Sequence, residues 1–229
     1  MKKVVVFTGS GISAESGIKT FRDHDGLWEN YKIEEVATPE AWARNPAKVL
    51  DFYNMRRKEV LQVQPNPAHL ALVKLEQAFD VEVITQNIDD LHERAGSGKV
   101  LHLHGEILKA RSSVDERIIV PVQGWKMEHG ALCPKGSPLR PHIVWFGEMV
   151  PLLSVAAEIV SQADIFIVVG TSLAVYPAAG LVDYAPYDSE KYLVDPNESV
   201  YVKGVHIIRE KAGTGLPKLV DQLLQDHSR

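Results

Sequence analysis

The sequence is poor in cysteine and has no long apolar run. Its 229 residues include one cysteine, Cys133, so an internal disulfide is impossible and we expect the reducing cytoplasm as the location. No apolar run approaches the ~20 residues that are needed to span a bilayer, so we expect no membrane segment. The apolar start, MKKVVVF, is too short for a signal peptide.

The sequence also lacks a basic block. Its formal net charge is −5 at pH 7, and without clustered lysines and arginines we expect no nucleic-acid ligand. Low-complexity segments and fixed-period repeats are absent as well. The hydrophobic fraction of 45% is typical of a globular protein, and the length suits one large domain or a large domain that carries a small one.

Seven short apolar runs predict strands, and helix-compatible stretches separate most of them. This alternation predicts an α/β fold with a mostly parallel sheet that is covered on both faces. The strands are expected at 3–7, 81–85, 100–104, 143–146, 165–170, 192–195 and 205–209, and the clearest helices at 67–79, 151–162 and 216–225.

Two stretches break this alternation. Residues 24–66 have helical signals and no strand, and residues 109–140 are polar and rich in turns. We interpret both as parts of a smaller module inserted into the sheet domain. The chain is then a single domain, 1–229, whose sheet part covers about 1–23, 67–108 and 141–229.

A glycine-rich turn follows the first predicted strand. The segment from Gly9 to Ala14, GSGISA, matches G-x-G-x-x-G/A, and its backbone N–H groups suit a pyrophosphate. A dehydrogenase then needs a second strand with an acidic residue about 20 positions on, but the chain continues as KTFRDHDGLWENY. A plain dehydrogenase is therefore disfavoured, while a tight turn without a ligand stays open.

Four further segments place polar or small residues after an apolar run. They are TQNID, LHLHGE, VWFGE and GTSLAVYPA. Because ligands of open α/β sheets bind at the carboxyl ends of the strands, we expect these segments and the glycine turn to meet in one crevice. A serine hydrolase is not indicated, since no G-x-S-x-G elbow follows a strand.

These segments, in this order, resemble the sirtuin family of NAD-dependent protein lysine deacylases. The resemblance covers nearly the whole chain, and its motifs are GSGISAESGIKTFR, TQNIDDLHERAG, HGE, PHIVWFGE and GTSLAVYPA. It implies a Rossmann-like parallel sheet domain with a smaller inserted helical and zinc-ribbon module. It also implies that NAD and an acyl-lysine protein or peptide bind in the cleft between the two.

The resemblance implies a role for individual residues of the cleft. NAD would be consumed as a co-substrate, and its phosphates, riboses and nicotinamide would be held by Gly9, Ser10, Gly11, Ile12, Gln86, Asn87, Asp89, Gly170, Thr171, Ser172 and Asp195. Phe21 and Arg22 would belong to a loop that closes over the cofactor. An acid at Asp195 would accept ribose hydroxyls and repel a 2′-phosphate, which favours NAD over NADP.

His104 and Asn87 would be the catalytic residues. The resemblance implies that the acyl oxygen attacks C1′ of the ribose as nicotinamide leaves, and that His104 then takes a proton from a ribose hydroxyl. The products would be free lysine, nicotinamide and O-acyl-ADP-ribose. An ordinary histidine pKa of about 6.5 suits a base at pH 7. Taken alone, His104 is also consistent with a hydrogen-bonded structural residue, and Asn87 with a helix cap.

The peptide would lie between two of the segments. The resemblance implies that it adds as a strand between VWFGE, with Val144, Phe146, Gly147 and Glu148, and GTSLAVYPA.

The metal ligands of the family are mostly missing. Sirtuins usually bind structural zinc through two CxxC pairs, but here Ser112 stands at the first position and Cys133 has no partner. One thiol with His129 gives at most two ligands, so we expect no structural zinc.

A tyrosine and an arginine, Tyr53 and Arg56, are spaced i, i+3 in FYNMRRKEV. An amphipathic helix with solvated arginines accounts for that spacing alone. The segment, however, resembles the class III-like sirtuin branch that removes succinyl, malonyl and glutaryl groups, in which such a pair lines the acyl pocket. A guanidinium can hold a terminal carboxylate bidentately and a phenol adds a donor. A preference for acidic acyl groups follows.

Three other functions stay open at this point. They are a general deacetylase whose Tyr53 and Arg56 face solvent, an NAD glycohydrolase or ADP-ribosyltransferase, and a non-catalytic NAD-sensing module.

Overall fold

The computed structural model describes residues 1–19, 27–28, 31–199 and 203–227, with backbone only for 27–28. The strands are β1 (Lys3–Thr8), β2 (Leu27–Trp28), β3 (Tyr31–Lys32), β4 (Asp80–Thr85), β5 (Val100–His102), β6 (Gly105–Ser112), β7 (Ile119–Pro121), β8 (Leu139–Ile143), β9 (Ile165–Val169), β10 (Glu190–Val194) and β11 (His206–Ile208). The helices are α1 (Gly11–Ala14), α2 (Ile33–Val36), α3 (Pro39–Arg44), α4 (Pro46–Gln62), α5 (Pro67–Leu75), α6 (Leu91–Ala95), α7 (Leu153–Val160) and α8 (Ala212–His227), with a 3₁₀ helix at Ala178–Tyr184.

Six strands form the central sheet in the order β11-β10-β9-β1-β4-β5. All of its neighbouring strands pair in parallel. The predicted α/β fold with a Rossmann-like parallel sheet is confirmed.

The sheet is buried on both faces. In β1, Val4 and Val6 pack on the side of α5 and α8, whereas Val5 and Phe7 pack on the side of α7 and the 3₁₀ helix. The continuous apolar run VVVF follows from this burial, because alternate side chains of a strand point to opposite faces.

Three helices start with the same local chemistry. Thr38, Asn45 and Asn66 are N-caps, each is followed by a proline, and each side chain accepts a backbone N–H from the first turn. Proline suits this position because a backbone N–H in the first turn of a helix has no intrahelical acceptor, so no helix hydrogen bond is lost when proline lacks one.

The smaller part of the chain contains helices α2–α4 and a second sheet. Helices α2–α4 pack around Phe52, Tyr53 and Trp145. The second sheet is antiparallel, in the order β7-β6-β8, and packs on α4 through Leu50, Ala110 and Met127.

Two strand predictions are wrong. Residues 24–66 contain β2 and β3, which pair antiparallel, because two-residue strands are too short to show an alternating pattern. The strand expected at 143–146 instead ends at Ile143 and lies in the small sheet, since an apolar run carries no information on its partner. The division into sheet part and inserted module stays a prediction.

The chain passes from the parallel sheet to the small sheet within two residues. His104 follows β5, and β6 begins at Gly105, whose φ is +82°. A Cβ at Gly105 would lie 2.1 Å from the carbonyl oxygen of His142, so no other residue fits there. The amide of Val144 donates to the carbonyl of His104 at 2.9 Å. The two sheets are therefore joined at His104. Among the described residues, no helix is both long and apolar enough to cross a membrane.

Candidate functional site

A cleft with a volume of about 270 Å³ lies at the carboxyl ends of the central strands, near the lower limit of small-molecule sites. Turns after β1, β4, β5 and β9 form one wall, and the segment after β8 together with α4 forms the other. Of the predicted site residues, the cleft brings together Gly9, Ser10, Tyr53, Arg56, Gln86, Asn87, Asp89, His104, Val144, Phe146, Gly147, Glu148, Gly170, Thr171 and Ser172.

The two glycine turns of the cleft touch each other. The amide of Gly11 donates to the carbonyl of Gly170 at 2.8 Å, and the amide of Ile12 donates to Gly9 at 3.1 Å. A Cβ at Gly9 would lie 2.7 Å from Cβ of Thr171. The glycines are thus required by the close approach of two backbones. The amides of Gly11 and Ile12 are already bonded within the protein, and Gly9 and Ser10 are the members of this turn that line the cleft.

We expect Gly170→Ala to lower the free energy of unfolding by at least about 2 kcal/mol. Gly170 has φ +60°, and an added Cβ would lie 2.4 Å from the amide nitrogen of Ile12. Thermal unfolding should show a Tm lower by roughly 4–8 °C. Gly180→Ala is the matched control, because its nearest neighbour would be 4.0 Å away. An equal Tm for the two variants would contradict the expectation.

The segment after β4 is held from several sides. The side-chain amide of Asn87 donates to the carbonyl of Gly9 at 3.2 Å and to Oγ of Ser13 at 3.1 Å, and its backbone N–H donates to Oγ1 of Thr85 at 3.0 Å. Nε2 of Gln86 donates to Oγ1 of Thr171 at 3.0 Å. The amide of Asn87 is therefore fixed at the floor of the cleft.

Asp89 is a buried acid beside Asn87. It is 5% exposed, and burial raises the pKa of its carboxyl. Its Oδ1 accepts the N–H of Leu91 at 3.2 Å, which favours the charged form and opposes the effect of burial.

The tautomer of His104 follows from its hydrogen bond to the backbone of Gln86. Nδ1 lies 3.0 Å from the carbonyl oxygen of Gln86, and because a carbonyl only accepts, Nδ1 carries the proton. Burial lowers the pKa of His104 below its ordinary value. At pH 7 the ring is therefore neutral and Nε2 has a lone pair, as a general base requires.

Tyr53 is fully buried in the other wall. Its hydroxyl accepts a hydrogen bond from Nε1 of Trp145 at 3.0 Å, and burial raises the pKa of the phenol. The guanidinium of Arg140 stacks on the Trp145 ring at 3.4 Å. Tyr53 is thus a neutral hydroxyl with a fixed position.

Arg56 is a buried cation of the same wall, 3% exposed. Nη1 donates to Oε2 of Glu59 at 2.7 Å, and Nη2 to the carbonyl of Lys19 at 3.4 Å. Its side chain does not face solvent, contrary to an amphipathic helix with solvated arginines. Arg57 is also buried and donates to Ile107 at 2.6 Å, which makes it a structural residue.

Glu148 is used to shape the segment after β8. Its carboxylate accepts from Nη1 of Arg140 at 2.7 Å, from Nη2 of Arg111 at 3.4 Å and from the amide of Trp145 at 2.8 Å. These bonds fix the segment Val144–Glu148 along the cleft, so the carboxylate supports the wall, and its contact with substrate stays a prediction.

Three of the predicted cofactor residues that the structure describes are not brought to the cleft. Gly11 and Ile12 lie behind the first turn, and Asp195 is fully buried, with Oδ1 accepting the amide of Asn197 at 2.9 Å. Phe21 and Arg22 lie outside the described residues. For these positions the roles implied by the resemblance stay predictions.

Ser112, at a position where the family has a zinc ligand, lies in a hydrogen-bonded turn. Oγ of Ser112 accepts the amides of Val114 at 3.1 Å and Asp115 at 3.2 Å, while Cys133 is a buried free thiol. His129 pairs with Asp51 at 2.9 Å. No group of three or more His, Cys, Asp or Glu that could hold a metal ion occurs in the part of the chain that the structure describes.

Two features of the site were missed at the sequence level. Trp145 lies inside the VWFGE segment, but only its hydrogen bond with Tyr53 shows its part in the wall formed by α4 and the segment after β8. His102 contacts the backbone carbonyl of Asn87; the second histidine of LHLHGE was the available signal, but β5 ends at His102, so the period of a strand does not place it relative to His104.

Comparison with known proteins agrees with this geometry. A family profile described as "Sir2 family" matches residues 9–177, more than half of the chain. An NAD-dependent protein deacylase of Aggregatibacter actinomycetemcomitans is 58% identical over 193 residues, covering 84% of this chain and 92% of that protein. One from Helicobacter pylori is 51% identical over 229 residues, covering 98% and 99%. A solved Sir2 homologue in complex with NAD matches with a TM-score of 0.89 and 41% identity, covering 99% and 91%.

Proposed function

The chain belongs to the Sir2 family, the NAD-dependent protein deacylases, and we propose that it removes acyl groups that end in a carboxylate, such as succinyl and malonyl, from lysine side chains. The acceptor is the ADP-ribose part of NAD, so nicotinamide and O-acyl-ADP-ribose leave with the free lysine. The substrates are acyl-lysine proteins or peptides of the cytoplasm.

The observation that carries this proposal is the buried guanidinium of Arg56 in the cleft wall. A buried cation is costly unless it is paired, and a wall for acetyl groups alone has no need of one. A guanidinium can bind a carboxylate through two parallel N–H bonds.

Tyr53 supports the same assignment. On helix α4 it lies three residues before Arg56, so the two side chains share a face. Its oxygen accepts from the Trp145 indole, and a phenol also has an O–H donor of the kind that an acyl carboxylate binds. Its raised pKa keeps that proton in place at neutral pH.

One observation favours the alternative of a general deacetylase. Glu59 already pairs with Arg56 at 2.7 Å, which offsets the charge without any substrate. Glu59 is 40% exposed, however, and a guanidinium has five N–H donors, so this ion pair does not exclude a second carboxylate.

The remaining residues act on the NAD side of the cleft. Asn87, Asp89 and Gln86 would hold the nicotinamide and its ribose, and the turns at Ser10 and Gly170 the phosphates. The neutral Nε2 of His104 would accept the proton of a ribose hydroxyl. NAD supplies the ribose carbon to which the acyl oxygen bonds as nicotinamide departs.

A peptide panel that differs only in the acyl group tests the proposal. Succinyl and butyryl have four carbons each and differ in the terminal carboxylate. We expect kcat/KM for the succinyl peptide to exceed those for the butyryl and acetyl peptides at least about tenfold, since a hydrogen-bonded charge contributes about 1.5–3 kcal/mol. The rate is measured as nicotinamide release, and the product is identified by mass spectrometry.

The other outcomes identify the alternatives. Faster turnover of acetyl or butyryl peptides than of succinyl peptide would make the enzyme a general deacylase. ADP-ribose without O-acyl-ADP-ribose would indicate an NAD glycohydrolase.

A further inference from the structure

A second histidine, His102, lies directly behind Asn87 and faces away from the chemistry. We infer that His102, held by Glu93, is a positioning residue. As a cation, His102 fixes the backbone of Asn87 and thereby keeps the nicotinamide side of the cleft in its working geometry. This inference rests on the deacylase activity of the family and is independent of the acyl preference proposed above.

Both ring nitrogens of His102 are engaged. Nδ1 lies 2.9 Å from the carbonyl oxygen of Asn87, and Nε2 lies 2.8 Å from Oε1 of Glu93. A backbone carbonyl and a carboxylate are both acceptors, so each nitrogen must donate. A neutral imidazole has one N–H and would leave one of these contacts as two facing acceptors. Against the effect of burial, the pKa of Glu93 is lowered, chiefly by its hydrogen bond with His102, and with Glu93 ionised the geometry is satisfied only by the protonated ring.

The charges around His102 agree with this state. The side chain is 7% exposed, and burial opposes its charge, but the hydrogen bond and attraction of Glu93 raise the pKa above the ordinary value of 6.5. Three acids face it, Glu93 on α6, Glu106 on β6 and Asp89 of the cleft.

Two further groups near His102 have smaller effects. His92 on α6 is buried and its pKa is lowered well below the ordinary value, first by burial, so it adds no charge at pH 7. Lys109 pairs with Glu106 at 2.7 Å, which moderates the influence of that acid.

The two histidines of LHLHGE therefore have pKa values that are shifted in opposite directions. His104 donates through Nδ1 to Gln86 and is neutral, whereas His102 donates through Nδ1 to Asn87 and is charged. Neighbouring groups with opposite shifts are a recurrent arrangement for assigning separate acid–base roles. His102 also favours the ionised form of Asp89, because the attraction of the cation lowers the pKa of that carboxyl against the effect of burial.

A bell-shaped pH profile follows for kcat. Activity rises through the pKa of His104, which lies below 6.5, and falls through the pKa of His102, which lies above 6.5. The stability that His102 contributes changes with pH in the same direction as the descending limb of activity. This contribution to the free energy of unfolding is full below pH 6.5 and is lost as the pH rises through the folded pKa of His102.

Glu93→Gln is the sharpest test. Glu93 is 42% exposed, so the variant should fold, and the amide still accepts a hydrogen bond from Nε2 but carries no charge. We expect the descending limb of the kcat profile to move to lower pH by about one unit, the lower end of the effect of an opposite charge at this distance. The ascending limb should stay in place. Glu128→Gln, an exposed change of the same kind, should move neither limb.

Substitution of His102 gives the second measurement. His102→Leu removes both donors, and we expect kcat to fall about tenfold, the effect of losing one charged hydrogen bond, with little change in KM for the peptide. His102→Asn places an amide donor near the Nδ1 position and should recover part of that loss without the descending limb. Thermal unfolding verifies that both variants are folded.

Two results would overturn the inference: a descending limb that does not move in Glu93→Gln, or equal kcat for His102→Asn, His102→Leu and wild type. The kcat ratio of succinyl to acetyl peptide should be unchanged in every one of these variants. A failure of the acyl panel is therefore distinguishable from a failure of this test.

Discussion

We expect His104→Ala to lower kcat for deacylation by about 10²–10⁴-fold, the usual contribution of a positioned general base. The reason is the tautomer fixed by Gln86: the proton on Nδ1 leaves Nε2 as an acceptor in the cleft. Alanine has no group that can take a proton from the ribose hydroxyl. The wall of the cleft that α4 and the segment after β8 form is unchanged in this variant, so KM for the peptide should change little.

The measurement is nicotinamide release together with mass spectrometry of the acylated product. His129→Gln is the matched control, because His129 is exposed and pairs with Asp51 away from the cleft. In the wild type, the ascending limb of the rate profile should lie below pH 6.5, because the rate falls as the pH drops through the lowered pKa of His104. A variant at position 104 that retained the wild-type rate would show that another group is the base.

If the proposed acyl preference holds, we expect Arg56→Met to lower kcat/KM for a succinyl peptide by about 100-fold, within the range for truncating one partner of a buried, hydrogen-bonded charge pair. Methionine is close in length and fills the wall, but it cannot bind a carboxylate. The rate on a butyryl or acetyl peptide should be unchanged or higher, since an apolar acyl group then meets an apolar wall. Both rates come from the same nicotinamide assay.

Lys58→Met is the control on the same helix. It also removes one cation, but Lys58 is exposed and lies 5.3 Å over the ring of Trp125. We expect no change on any acyl peptide. An equal loss for Arg56→Met on succinyl and acetyl substrates would mean that Arg56 supports the wall and does not select the acyl group.

The sequence predicts well which strand ends meet at the cleft, because each of them is recognised from residues adjacent in the sequence. Each turn there directly follows an apolar strand, so the order of segments suffices to bring Gly9, Asn87, His104 and Gly170 to one edge. The alternation of burial along β1 has the same origin. These features need only the period of a strand and the rule for parallel sheets.

Other contacts depend on partners distant in sequence. The pairing of Trp145 with Tyr53 and that of His102 with Glu93 follow from how α4, β5, α6 and the segment after β8 are placed. Glu59 could be seen beside Arg56 as an i, i+3 pair, but whether the pair faces solvent or the cleft depends on the rotation of α4. The antiparallel partner of β8 was likewise not encoded in its own residues.

The joint at Gly105 has a consequence for evolution. The small sheet is attached to the cleft through Arg111 and Arg140, whose side chains contact Glu148, and through the backbone, where the amide of Val144 donates to the carbonyl of His104. Positions of the small sheet outside these contacts can therefore accept substitutions without moving His104; Ser112, at a position where the family has a metal ligand, makes local side-chain hydrogen bonds to the amides of Val114 and Asp115. Position 105 itself is closed to change, because a Cβ would lie 2.1 Å from the carbonyl oxygen of His142. Amino-acid substitution is thus compatible with the fold at Ser112 in the small sheet and incompatible with it at Gly105, directly beside His104.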